Sequence, residues 1–186
     1  HALPVAAARM EAQEPALTGG HSLDVLGATF FYAGGESNMA KFGRFFKTLG
    51  LKTFGFYDKG KRSDKATEAL KAAYDINLEH HFKGFEDLVA SELPVARLWP
   101  FLHDLRASGE LVELGIPADQ PSDEQVRKLA AIALRQGKGV GWAANLFETC
   151  DYNELPPTIM QFLRGVYAEL PKPPEGASEQ AAALSE

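Results

Sequence analysis

A single cysteine, Cys150, among 186 residues rules out an internal disulfide framework. That usage fits a reducing, cytoplasmic setting. No apolar run approaches the roughly 20 residues that a membrane-spanning helix needs, so no membrane association is expected. A secretory leader is not expected either, because in HALPVAAARMEAQEPAL the cation Arg9 follows the apolar residues instead of preceding them. The start also lacks an initiator Met, and the chain is expected to be a fragment with sequence missing upstream. Positive charge is not in excess. A formal net charge of -6 argues against a purely electrostatic nucleic-acid binder, although bound divalent metals would change the local balance. No GxGxxG, P-loop or GxSxG motif occurs, and no internal repeat. The five histidines form no metal constellation: His80 and His81 are adjacent in an expected strand and point to opposite faces, while His21 and His103 stand alone. Cys150 has no partner for nucleophilic chemistry and reads as a small core residue.

What remains is a chain with 45% apolar residues, enough for a substantial core and too many for global disorder. Residues 2–14 read as a short Ala-rich helix. The stretch GATFFYAGG (27–35) has the aromatic content of a buried strand. Ser37 can cap a following helix whose apolar face carries Met39, Phe42, Phe45, Phe46 and Leu49, with Gly50 as its stop. LKTFGFYD (51–58) reads as the second strand, Ser63 or Asp64 caps a helix through Tyr74, and DINLEHH (75–81) alternates like a third strand. This β-α-β-α-β rhythm predicts an α/β fold with a parallel sheet flanked by helices. From about residue 84 the spacing turns helical. Pro94, Pro100 and Pro117 should break that region into short helices, and Ser122 with Gln125 makes a capping box. A last helix should start near Pro156 and Pro157 and bury Ile159, Phe162, Leu163 and Val166. The expected organisation is an α/β core over 1–93, a helical insertion over 94–136, the end of the core over 137–170, and a Pro-rich, disordered tail over 171–186.

Within that frame Asp58 is the leading candidate for chemistry. A carboxylate at the C-terminal end of a parallel strand points into the crevice where α/β sheets bind ligands, although a strand-end Asp caps its turn about as often. The cations Lys59, Lys61, Arg62 and Lys65 follow it and can face phosphate, or form only a solvated loop. Glu86, in HFKGFEDLV, can supply a second oxygen ligand for Mg²⁺ or Mn²⁺ in the same crevice. Read alone it is more often a first-turn acid complementing the helix dipole, and the adjacent Asp87 competes for the inward position. Lys138, in RQGKGVGWAA, is flanked by glycines that leave its ammonium uncovered, placed to stabilise phosphate charge or simply to end a helix. Glu36, after Gly34 and Gly35, is either a metal ligand or a helix-start acid.

Three blocks taken together, LGATFFYAGGESNMAKFGRFFKTLGLKTFGFYDKG, FKGFEDLV and GKGVGWAANLFETCDYNELPPTI, resemble the C-terminal Toprim nuclease region of OLD-family endonucleases (overcoming lysogenization defect). The similarity spans most of residues 1–168. It implies a Toprim-like sheet with an inserted helical subdomain, and a metal-dependent DNA endonuclease cleaving phosphodiester bonds with two Mg²⁺ or Mn²⁺ ions. One ion would activate water and the other would stabilise the leaving oxygen. Asp58 matches the first acid of the family's DxD motif, whose second acid is Gly60 here. Glu86 matches the acid after the next strand, with Gly84 where a serine is common. Lys138 matches the late lysine of the GKG block. Catalysis would then fall to Asp58, Glu86 and Lys138, metal ligation to Asp58, Glu86 and Glu36, and DNA contact to Lys59, Lys61, Arg62 and Lys65. An EGxxE motif of the family would lie before His1. The resemblance also implies an upstream ABC-type ATPase domain and an oligomeric full-length protein. The competing readings are a receiver-like regulatory module phosphorylated on Asp58, which the helical stretch before Lys138 disfavours, and a non-catalytic interaction domain. A HAD-type phosphatase would need an acid at Gly60 and a nearby Thr.

Overall fold

The structure, a computed structural model, describes residues 2–171, and for Glu36 the main chain only. Apart from Pro171, the tail expected to be disordered lies outside the described residues. The protein is a mixed α/β fold in which helices dominate. In chain order the elements are α1 (Ala2–Gln13), α2 (Pro15–Thr18), α3 (Glu36–Thr48), β1 (Phe54–Asp58), α4 (Asp64–Ala72), β2 (Ile76–His80), α5 (Phe85–Glu92), α6 (Val95–Ala107), α7 (Asp123–Gln136), α8 (Trp142–Thr149) and α9 (Pro157–Glu169). Short 3-10 turns occupy Val112–Leu114 and Tyr152–Glu154. Among the described residues no helix is long and apolar enough to cross a membrane.

Local signals account for several of these elements. The Ser63 hydroxyl accepts from the Ala66 amide at 3.3 Å and opens α4. The Ser122 hydroxyl accepts from Gln125 at 3.4 Å and opens α7, whose Val126, Ala130, Ala133 and Leu134 recur at helical spacing and are all buried. In α9 the buried positions include Ile159, Phe162, Leu163 and Val166, with Pro157 in the first turn, where its missing N–H costs nothing.

Three expectations need correction. Residues 28–33 form no strand. Gly27, Gly34 and Gly35 bound the segment with positive φ, and only Phe31 of its rings packs on α3, edge-on against Phe42 and Phe46 at 4.8 and 5.1 Å, while Phe30 and Tyr32 stay exposed. The sheet of the described residues accordingly has two strands, β1 and β2, rather than three. Helix α3 starts at Glu36 behind an N-cap Gly35, two residues before the expected Ser37 cap. Pro100 does not break α6. It sits exposed inside that helix, while Leu98, Leu102 and Leu105 on the opposite side are buried, and this burial holds the helix through one missing hydrogen bond.

The two strands pair in parallel, in a register that sets Phe54 opposite Ile76 and Asp58 opposite His80. With a period of two, Phe54, Phe56 and Asp58 share one face with Ile76, Leu78 and His80. That face meets the helical core, with Phe56 and Phe162 of α9 5.0 Å apart. The other face carries Tyr57, whose hydroxyl donates to Asn77 at 3.1 Å, and Gly55. A Cβ at Gly55 would come within 2.8 Å of the Tyr74 ring, so only glycine fits there. One apolar cluster unites α1, α5, α6, α7, α8 and α9, and the helices of 94–136 contribute Leu98, Leu102, Val126 and Ala130 to it.

Two long-range contacts tie the helices end to end. Glu92, in the last turn of α5, accepts from the Thr158 amide at 2.9 Å and from its hydroxyl, so α5 caps α9. Arg127 of α7 donates through Nη1 to the carbonyls of Ala90, Ser91 and Leu93 at 2.7 to 2.8 Å, which covers the exposed carbonyl end of α5. Replacing this charged donor with Met should lower the unfolding free energy by about 2 kcal/mol. Urea denaturation of Arg127→Met against the parent, read at the midpoint with unchanged slope, checks the effect.

Candidate active site

Because β1 and β2 run in parallel, both end on the same edge of the sheet. Asp58 closes β1, His80 closes β2, and the Lys59 amide donates to the His80 carbonyl at 2.8 Å to continue the ladder by one step. The chain then turns at 81–84 and enters α5, whose first turn carries Glu86 and Asp87. Asp58 is half-buried. Its carbonyl accepts from Arg62 Nη2 at 2.7 Å, while its carboxylate takes no hydrogen bond or ion pair among the described residues.

Glu86 and Lys138, drawn from segments some fifty residues apart in sequence, meet at 3.3 Å. The pair is asymmetric: the Glu86 side chain keeps 12% of its exposure and Lys138 keeps 65%. Asp87 turns instead to Arg135, at 2.7 Å, which settles which neighbouring acid faces the lysine. The glycines around Lys138 have separate reasons. A Cβ at Gly137 would lie 2.1 Å from the Trp142 ring, whereas Gly139 and Gly141 hold left-handed φ values of 92° and 89°. Together they fold GKGVGW into a turn under Trp142 that leaves the ammonium facing out.

The remaining candidates separate. Lys59, Lys61 and Lys65 are exposed and make no ion pair among the described residues. Arg62 departs from the expectation that it meets DNA. Its side chain is only 7% exposed, bonds the Asp58 carbonyl, approaches Glu79 at 3.4 Å and lies over the Tyr57 ring at 5.3 Å, so it braces the strand ends from inside. Glu36 begins α3, and its side chain lies outside the described residues. No group of three or more His, Cys, Asp or Glu side chains capable of holding a metal ion occurs among the described residues. Cys150 is buried, and burial first, then the nearby Glu154 carboxylate, pushes its thiol up to about 11, too high for a nucleophile at neutral pH.

One residue at this edge carried no role in the sequence reading. His80 is 4% exposed, its Nδ1 has no hydrogen-bond partner, and its ring lies 5.1 Å from Phe56 and 6.0 Å from Phe82. The available signal was strand parity, since His80 shares a face with Ile76 and Leu78. Burial lowers its pKa below the ordinary value of 6.5, against the pull of Asp58, Glu92 and Glu79 and with a smaller push from His81. An unfolded chain therefore binds the proton more readily, so His80 adds stability that is complete above pH 6.5 and is lost as pH falls through the depressed value. The depressed carboxyls of Glu14, Asp75 and Glu154 act only at lower pH, their ordinary values being 4.5 or less. Melting temperature measured from pH 7.5 to 5 should fall in the parent and flatten in His80→Leu.

Comparison with protein-family models, with curated proteins and with solved structures found no match to this chain.

Proposed function

We propose that this chain is a Toprim-type nuclease region like that of OLD-family proteins, hydrolysing DNA phosphodiester bonds with divalent metal. The observation that supports the reading most is the Glu86–Lys138 pair, whose members lie 3.3 Å apart. The pair lies where β2 leads into α5, and Asp58 ends the neighbouring strand β1 with a carboxylate that takes no hydrogen bond or ion pair among the described residues. Asp58 and Glu86 are hard oxygen donors of the kind Mg²⁺ and Mn²⁺ take, and Mg²⁺ is commonly held by one or two carboxylates, with water and phosphate completing its shell. The donor chemistry fits, and these two residues are the ones that would hold the ion. When bound, the ion would supply Lewis acidity at the phosphate and lower the pKa of water.

The chain's own part is to bind and orient. Lys138, exposed on its glycine turn, is free to swing from Glu86 to a phosphate oxygen and offset its charge. Lys59, Lys61 and Lys65 extend positive charge along the same edge. The reading carries with it an ATPase region preceding these residues and an oligomeric full-length protein.

Nicking of supercoiled plasmid tests the proposal, with Mg²⁺, Mn²⁺, Ca²⁺ or EDTA. It should be run on residues 1–186 and on the same chain extended by whatever natural sequence precedes it. Metal-dependent nicking by either form supports the reading. A folded, extended protein that nicks under no metal removes it and leaves a non-catalytic module.

A further inference from the structure

The charge of the chain is unevenly placed. Residues 36–72 hold nine Lys or Arg against four Asp or Glu, a local net of +5 within a chain of -6. Some of these cations are engaged: Lys47 pairs with Asp75 at 3.0 Å, Lys52 with Glu169 at 2.5 Å, and Arg62 is turned inward. Lys41 and Arg44 of α3 are exposed and make no ion pair among the described residues.

Helix α3 docks by one side. A Cβ at Gly43 would press on Ala73 and Tyr74, and the Tyr74 hydroxyl donates to the Met39 carbonyl at 2.9 Å. At 100° per residue, Lys41 and Phe45 fall on the far side of the helix from Gly43, with Arg44 on the flank beside Lys41. On the other flank, beyond Phe45, runs the stripe of Phe42 and Phe46, with Phe46 5.5 Å from Phe45 and Phe31 resting on both stripe residues. The rings on this surface are open to solvent: Tyr32 is 87% exposed, Phe31 55% and Phe45 53%. Exposed rings joined through Phe46, with Tyr32 next along the chain and cations unpaired among the described residues on the neighbouring flank, mark a binding surface.

The cations decide the occupant. A polyanion satisfies Lys41 and Arg44, and exposed rings need flat apolar faces to cover them. A duplex hides its base faces in the stack, whereas a single strand offers both phosphates and bases. We propose that the outer face of α3, with segment 28–33 beside it, binds single-stranded nucleic acid, Phe31, Tyr32 and Phe45 stacking on bases and Lys41 and Arg44 holding phosphates.

The surface does not depend on the cleavage chemistry, so it can be tested apart from it. Fluorescence anisotropy in EDTA, with a labelled oligo-dT and a duplex of equal length, is read on the full chain. The single strand should bind more tightly than the duplex. Tyr32→Ala with Phe45→Ala should weaken it by roughly 10- to 100-fold or more. Lys41→Gln with Arg44→Gln should reduce the salt dependence by about 1.4 in log-log slope, two contacts' worth. All four side chains are exposed, so the variants should melt with the parent; Tyr32→Phe should bind as the parent does. Asp58→Ala should bind normally whether or not the protein nicks plasmid, which separates this proposal from the nuclease one. Absence of binding to the single strand, equal affinity for the duplex, or undiminished binding by the folded Tyr32/Phe45 variant overturns it. So does self-association through this face, seen by light scattering, that the ring substitutions abolish while single-strand affinity stays unchanged.

Discussion

Asp58→Ala and Glu86→Ala should each bring metal-dependent nicking to background while the protein folds as the parent does. The two halves of that result have different origins. Loss of activity would follow because each change removes one of the two oxygen donors proposed to hold the ion, and a hard divalent ion has no substitute donor of that kind in an alanine. Retained folding follows from where the side chains sit. The Asp58 carboxylate takes no hydrogen bond among the described residues, so its removal orphans nothing. Glu86→Ala leaves behind Lys138, which is 65% exposed and stays hydrated, so no buried charge is left unpaired. Circular dichroism and thermal melting should therefore overlay with the parent, and Mn²⁺ titration calorimetry should lose its binding heat. Nicking at the parent rate by either folded variant places the chemistry elsewhere.

The parts of this fold legible in the sequence are those whose cause is local. Ser63 and Ser122 announce α4 and α7 because an N-cap serine serves an amide only three residues on, and the inner face of α9 repeats at helical spacing. Both strands of the observed sheet lie within the stretches read as strands, with ends that differ by up to three residues. The aromatic run at 27–35 misleads because aromatic content records only that a segment has apolar rings to place. Whether a sheet or a helix takes them is decided by α3, whose Phe42 and Phe46 meet Phe31. Contacts made across the chain leave no local trace. Arg127 reaches carbonyls 34 to 37 residues away, and Glu92 caps a helix 66 residues on. The candidate site divides the same way. Asp58, Glu86 and Lys138 stand out by position, but the choice between Glu86 and Asp87, and the inward turn of Arg62, depend on Lys138, Arg135 and Glu79, which the sequence does not align with them.

Lys138→Ala should separate two quantities that a plain loss of a ligand moves together. If its ammonium offsets charge on the phosphate during cleavage, nicking falls by about 10²- to 10³-fold, the usual cost of one preorganised donor. Metal binding should move the other way. Lys138 lies 3.3 Å from Glu86, so its single positive charge would compete with a divalent ion for that carboxylate. Removing the lysine frees that oxygen and takes away a like charge from beside the ion, so Mn²⁺ affinity should rise while the rate falls. Glu86→Ala, by contrast, should lower both. Lys138→Arg keeps the charge on a planar group with different reach, and should hold the parent's metal affinity without restoring the parent's rate. Rates and affinities measured on one preparation of each variant decide the matter. Unchanged nicking in Lys138→Ala makes the lysine only a surface partner of Glu86. A fall in metal affinity makes it a support for the carboxylate's position, because competition for the same oxygen can only push affinity upward.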